Sequence, residues 1–396
     1  MPETGTRTLM RRLGVPAAGA VVLLGALAAV SGSLLRAKVT DAGRSQRLVP
    51  VLASGQAAGR EYLEFEPEGF AAHPGRLSMR APSGGDLVVL APPCPSGRRL
   101  RRSVERGSAS RIVRDGGGQL SGHLGESPAD FGYSYQEVSV EGLPAWVIPP
   151  AVPAKASGVW VIHVHGLGSS RSQCLRGVEA FAGLGFTSLL PSYRTSLDLS
   201  PEPAPSHLGV SEWADIEAAR CYALDRGAQR ILFVGWSLGA SIVLRTIDRA
   251  GDNSAAGVVL VSPALDWPAI IAAQLRGIGC PRIIAQMLPH TLNLMRAKGE
   301  PVIRWKEMPG TYMQKHLTLP TMIFHGSDDH SVPVELSRIL VSRQKQPVQL
   351  VEFKGAHHTL EWNSAPQLWN QSVQAWCRSL GLDTSEDSID HLSEAK

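Results

Sequence analysis

The chain has 396 residues, 43% of them hydrophobic and 19% charged, and a formal charge of +4. That composition argues for a folded core and against a disordered or fibrous chain, and the length accommodates one large α/β domain with extensions, or two domains. The charge is small and not interleaved with aromatics, which speaks against a nucleic-acid partner; the five scattered cysteines include no C-x-x-C, which speaks against a zinc site or a disulfide scaffold.

Residues 1–14 form a short basic tail with Arg7, Arg11 and Arg12, and residues 15–35 follow without a charge before Arg36 and Lys38. The uncharged stretch is long enough to cross a bilayer and apolar on all sides, so it reads as a transmembrane signal anchor. A cleaved secretory signal is the alternative, because Ala26-Leu27-Ala28 offers a small-residue site. The apolar run continues past that site to Leu35, which favours the anchor. Such an anchor most simply leaves the large domain extracytoplasmic; cleavage leaves it secreted. Residues 36–132 are rich in Gly, Pro and Arg and read as a membrane-proximal extension, with a few strands (86–90, 112–113) packed on the main domain. Arg98, Arg99, Arg101, Arg102, Arg106, Arg111 and Arg114 read there as a solvated Gly/Ser-rich loop, since no amphipathic helix accompanies them to meet lipid headgroups.

Regular structure is expected from Tyr133. Residues 135–140 and 144–148 form a hairpin. A buried strand at 159–164 runs into His165-Gly166-Leu167-Gly168, and a helix at 173–184 is stopped by Gly185. After a strand at 187–190, Ser211 caps a helix that ends at Gly227 and holds Cys221 as a small buried residue. Strands at 231–234, 257–261, 321–324 and 349–353 complete the set, with helices from about Pro333 and over 365–380. This alternation predicts a three-layer α/β/α sandwich, mostly parallel, with an antiparallel N-terminal edge. Residues 264–319 break the rhythm with helices at 268–276 and 281–297 and read as a cap over the site. The acidic tail 383–396 reads as disordered. One disulfide stays possible if the domain is exported.

The chemistry centres on Gly235-Trp236-Ser237-Leu238-Gly239, between a strand and a helical pattern. Strand, G-x-S-x-G, helix is a nucleophile elbow: the serine sits on a strained turn, so bulk is excluded two residues to either side. The Leu238 N–H then points at the developing oxyanion. Such a serine needs a base and an orienting carboxylate. Two later strand ends supply them, in His325-Gly326-Ser327-Asp328-Asp329-His330-Ser331-Val332-Pro333 and in Gly355-Ala356-His357-His358.

Together with His165-Gly166-x-Gly168, these motifs from about Tyr133 to Leu380 resemble the α/β-hydrolase superfamily, in its serine aminopeptidase/dienelactone-hydrolase-like branch. The resemblance implies Ser237 as nucleophile, Asp329 rather than Asp328 as acid, and His358 rather than His357 as base. It also implies the backbone N–H groups of Leu167 and Leu238 as the oxyanion hole, supported by His165, Gly166, Gly235 and Gly239. His163 and His165 at i, i+2 lack a third metal ligand and His165 is expected to brace the oxyanion turn; Arg171 is expected to bond loop carbonyls or, less simply, an anionic substrate. The expectation is a membrane-anchored serine hydrolase of carboxylic esters, with no cofactor or metal, acting on a small-molecule ester, lipid or peptide. A peptidase or amidase of the same fold, and a non-catalytic binding member, are the alternatives.

Overall fold

The computed structural model describes residues 48–151, 157–200, 204–251, 253–291, 296–297, 300–301 and 317–382. The apolar segment 15–35, the tail 383–396 and most of the second half of the cap lie outside the described residues. Among the described residues no helix is long and apolar enough to cross a membrane.

The region read as an extension with a few strands packed on the main domain builds a sheet of its own. Its strands are β1 (Leu48–Pro50), β2 (Ala53–Ala57), β3 (Arg60–Phe65), β4 (Leu77–Arg80), β5 (Val88–Leu90), β6 (Cys94–Ser96), β7 (Arg99–Arg106) and β8 (Gly117–Ser121). They pair in the order β1-β8-β4-β5-β7-β3-β2, with β6 also on β7. Leu63, Phe65, Leu77, Met79, Val88, Leu90 and Ile112 close a separate core under them. The arginine run is therefore not a solvated loop. Arg99–Arg106 is the longest strand of this sheet, and residues 112–113 lie in a helix, Ser110–Arg114. Gly/Pro richness reflects the many tight turns between short strands, and the alternation is hidden because the buried side of β7 is itself partly arginine.

Arg102 is fully buried and its guanidinium donates to the carbonyls of Ala71 (3.0 Å), Gly75 (2.9 Å), Ala91 (2.8 Å) and His73. Burial pulls its pKa down to about 10, so it keeps its charge at neutral pH. Arg102→Met leaves four buried carbonyls without their donor. The expected cost is about 3–5 kcal/mol, read as a lower denaturant midpoint; a midpoint within error of the wild type contradicts this role.

The second sheet contains β9 (Gln136–Val140), β10 (Leu143–Ile148), β11 (Val159–Val164), β12 (Thr187–Pro191), β13 (Arg230–Trp236) and β14 (Ala255–Val261). After a two-residue pair in the cap, β15 (Arg296–Ala297) with β16 (Glu300–Pro301), it is completed by β17 (Thr321–Gly326) and β18 (Val348–Phe353). The order is β18-β17-β14-β13-β11-β12-β10-β9. All neighbouring pairs from β12 to β18 are parallel, while β10 is antiparallel to both β12 and β9. The edge strand β9 thus runs with the majority and only β10 is reversed, a refinement of the expected antiparallel edge. This is the strand order and polarity of the α/β-hydrolase fold.

Side-chain alternation distributes the sheet between two cores. Ile231 and Phe233 face one, with helices Trp213–Asp225 and Leu238–Ala250. Leu232, Val234 and Trp236 face the other, with Val178–Ala182 and Pro366–Ser379. The sheet is covered on both sides, as the uninterrupted apolar strands require.

Several local expectations are corrected. The 173–184 helix is a 3-10 turn, Arg171–Gly177, followed by Val178–Ala182 with Gly183 at its end. Glu212, not Ser211, stands at the N-cap of Trp213–Asp225 without a side-chain capping bond; its carboxylate instead accepts from Ser206, His207 and Gly209 in the preceding turn. Cys221 is exposed, on the solvent side of that helix, and all five cysteines are free thiols. The second helix of the segment expected to form a cap, Arg282–Thr291, ends before the β15–β16 pair rather than at residue 297.

Candidate active site

Three strand ends deliver the chemistry. At the end of β13 the chain turns abruptly into a helix. Ser237 has φ 53° and ψ −111°, a conformation that costs a non-glycine residue of order 1–3 kcal/mol. The flanking glycines are sterically required: a Cβ on Gly235 would stand 2.5 Å from the Ala240 Cα, and one on Gly239 would stand 2.1 Å from the Val164 carbonyl oxygen. The turn is pinned by Ser237 N–H donating to Val261 (2.8 Å) and Ala264 N–H donating to Ser237 (3.2 Å). Leu238 opens the helix Leu238–Ala250, so its N–H is among the first-turn donors that lack an intrahelical acceptor.

Ser237 Oγ lies 2.9 Å from His358 Nε2, and His358 Nδ1 lies 2.6 Å from Asp329 Oδ2. The other Asp329 oxygen accepts from the N–H groups of Ser331 and Val332, both at 2.8 Å. Asp328, its neighbour, is exposed and accepts from Ser327 Oγ (3.0 Å). His357 points away, with its ring 5.2 Å from that of His73. Of each doublet it is the second residue, Asp329 and His358, that stands in line with Ser237.

Electrostatics within the trio are mutual. Burial alone would raise the Asp329 carboxyl, but the facing His358 and the hydrogen bonds from His325 and His358 reverse this and hold it well below the usual carboxylate range. Burial alone would lower His358; Asp329 and, further off, Glu361 outweigh it and raise its pKa above the ordinary histidine value.

The turn after β11 approaches the nucleophile closely, since a Cβ on Gly166 would lie 3.2 Å from Ser237 Cβ. Gly166 N–H donates to Gln173 Oε1 (2.7 Å) and its carbonyl accepts from Tyr193 OH (3.0 Å). That fixes the peptide plane ahead of Leu167. His165 braces the same turn: its Nδ1 bonds the Gly166 carbonyl at 2.9 Å, its Nε2 bonds Ser196 Oγ at 2.5 Å, and its ring stacks on Tyr193 at 4.1 Å. Burial drives the His165 pKa down to about 4, so it works uncharged. His163 bonds Ser188 instead, and among the described residues no cluster could hold a metal ion. Arg171 bonds neither loop carbonyls nor open solvent; it pairs with Glu137 (2.8 Å) and Asp198 (3.0 Å) over the Trp146 ring.

A supporting layer went unseen in the sequence because its members sit far apart in the chain and carry no motif. Arg176, fully buried, donates to Gln173, to the Thr359 carbonyl beside His358 and to Asn363 Oδ1. It therefore joins the 3-10 turn that holds Gln173 to the loop carrying His358. Asn363 in turn donates to the carbonyls of Arg76 (2.8 Å) and Gly122 (3.0 Å) in the first domain. Glu361 Oε1 accepts from Gly326 N–H and Ser262 Oγ, and Ser262 Oγ accepts from Thr359 N–H. One buried carboxylate thus ties the Asp329 loop to the His358 loop.

No protein-family model matches the chain. Over 217 residues it is 24% identical to the uncharacterized protein YfhR of Escherichia coli (strain K12), covering 54% of this chain and 69% of that protein. Among solved structures it is similar to the Pyrococcus furiosus esterase Pf2001, with a TM-score of 0.49 at 20% identity over 64% of this chain and 94% of that one. It is also similar to the esterase RhEst1 from a Rhodococcus species, with a TM-score of 0.42 at 18% identity over 63% of this chain and 100% of that one.

Proposed function

We propose that the protein is a serine hydrolase that cleaves carboxylic esters through an acyl-enzyme on Ser237. The observation that carries this reading is the continuous line from Ser237 Oγ to His358 (2.9 Å) and from His358 to Asp329 (2.6 Å), set on a strained strand–helix turn. Ser237 attacks the acyl carbon while His358 Nε2 takes its proton. Asp329 fixes the imidazole tautomer and stabilises the imidazolium. The N–H groups of Leu167 and Leu238 hold the oxyanion, each contributing about 3 kcal/mol at the transition state. His358 then protonates the leaving group, and water repeats the sequence on the acyl-enzyme.

The apolar segment 15–35 supports a membrane-anchored form with the catalytic domain outside the cytoplasm. Exposed Ile283, Ile284 and Met287 on the cap helix Arg282–Thr291 fit an apolar or lipid-like substrate. An amide or peptide substrate would use the same groups. The two are separated by comparing p-nitrophenyl acyl esters of several chain lengths with aminoacyl anilides. Turnover of the esters is expected, and turnover of the anilides alone overturns the ester reading.

A further inference from the structure

The first domain reaches the candidate active site at a wall that no motif announces. The 3-10 turn Gly69–Ala72 and the following Pro74 line a cleft together with the loops carrying Asp329 and His358. The cleft holds about 760 Å³, within the range of small-molecule sites. Its wall includes Phe70 and Pro74 from the first domain and His330, His357 and His358 from the second, and the His358 side chain is partly exposed. The rings face one another: Phe70 and His357 lie 5.8 Å apart at 34°, and His330 and His357 lie 6.3 Å apart. Asp328 and Lys354 stand exposed at the rim.

The wall is held rather than loose. Arg102 grips the carbonyls of Ala71, His73 and Gly75 from beneath, and Asn363 and Ser364 bond Arg76 and His73 from the side of the base loop. Burial brings His73 down to about 3, so it is uncharged at neutral pH; burial first and His330 next lower His357, against Asp328 and Asp329. Phe70 and His357 pack together on the cleft wall, and Asp328 and Lys354 line it as exposed residues.

Resting on the hydrolase reading, we infer that this cleft is the subsite of the departing alcohol, and that it takes a bulky, uncharged, ring-bearing alcohol. The side is set by chemistry. The leaving oxygen must stand at His358, whereas the acyl group is held between Ser237 and the oxyanion N–H groups of Leu167 and Leu238. A bond forms between Ser237 Oγ and the acyl carbon, and the bond from that carbon to the alcohol oxygen breaks. The oxygen keeps the electron pair and takes the proton that His358 Nε2 removed from Ser237. The free alcohol then leaves through the cleft, and its identity no longer affects the shared acyl-enzyme.

The test uses the full chain and two butyrate esters, ethyl and 2-naphthylmethyl, with fluorophosphonate labelling of Ser237 as a parallel readout. The naphthylmethyl ester is expected to have a kcat/KM about tenfold or more above the ethyl ester. The kcat values should converge where hydrolysis of the common butyryl-enzyme limits turnover. Phe70→Ala is expected to cut the kcat/KM ratio about tenfold, and Ala72→Trp, which fills the cleft, to cut it similarly. Equal kcat/KM for the two esters, variants that lower both esters alike, or a labelled Ser237 with neither ester cleaved overturns the subsite alone. An unlabelled Ser237 with no hydrolysis overturns the hydrolase reading and the subsite with it.

Discussion

Replacing Ser237 by Ala is expected to abolish labelling by a fluorophosphonate probe and to lower kcat on any accepted ester by about five to six orders of magnitude. The size follows from the way the trio acts as a unit: without Oγ, His358 has no proton to take and Asp329 has nothing to orient. Some acceleration over water remains from the oxyanion N–H groups and from binding. The fold supplies a control for misfolding. Ser237 holds φ 53°, which Ala shares as a strained conformation and Gly does not. Ser237→Ala should therefore melt near the wild type, while Ser237→Gly, equally inactive, should be more stable by about 1 kcal/mol. An Ala variant that labels as well as the wild type sinks the assignment of the nucleophile.

Asp329→Asn has the second largest expected effect and a direction that can be worked out in advance. His358 must be neutral to accept the serine proton, so kcat/KM falls as pH drops through its pKa. In the native protein burial lowers that pKa, but Asp329 first and Glu361 next outweigh the burial and raise it. The acid limb of the wild-type profile should therefore lie above the ordinary histidine value. The substitution removes the larger raising influence and leaves burial opposed mainly by Glu361, so the limb should move to lower pH. The plateau should fall by about 10⁴-fold, because an amide facing His358 Nδ1 favours the wrong tautomer. A profile that keeps its limb while the plateau falls argues that Asp329 acts only as a structural support.

Much of the site could be read in the chain because each piece is short and local. An elbow needs its glycines within two residues of the serine, and an acid or base at a strand end leaves a motif with fixed spacing. Within the Asp328/Asp329 and His357/His358 doublets the family resemblance implies the second residue, which is the one placed in line with Ser237. The first domain offers no such regularity. Its strands are short, its turns take the Gly and Pro that look like linker, and its buried Arg102 contradicts the usual sorting of charge to the surface. Arg176, Asn363 and Glu361 are likewise invisible in sequence, since each acts on partners brought near only by folding, up to 287 positions away for Asn363 and Arg76.

The side chain of Leu360, two residues beyond His358, is buried in the core of the first domain rather than in either core of the catalytic sheet. A Cβ on Gly122 would stand 2.1 Å from its Cδ2, and one on Gly75 would stand 2.0 Å from the Asn363 carbonyl oxygen, so the surfaces meet without room for an intervening layer. The segment that carries the base is thus a shared part of two hydrophobic cores. Unfolding either one withdraws the other's boundary, so the two sheets are expected to melt in one transition. A chain trimmed to begin at Tyr133 would keep every residue of the Ser237–His358–Asp329 line and lose the surface that determines where His358 stands.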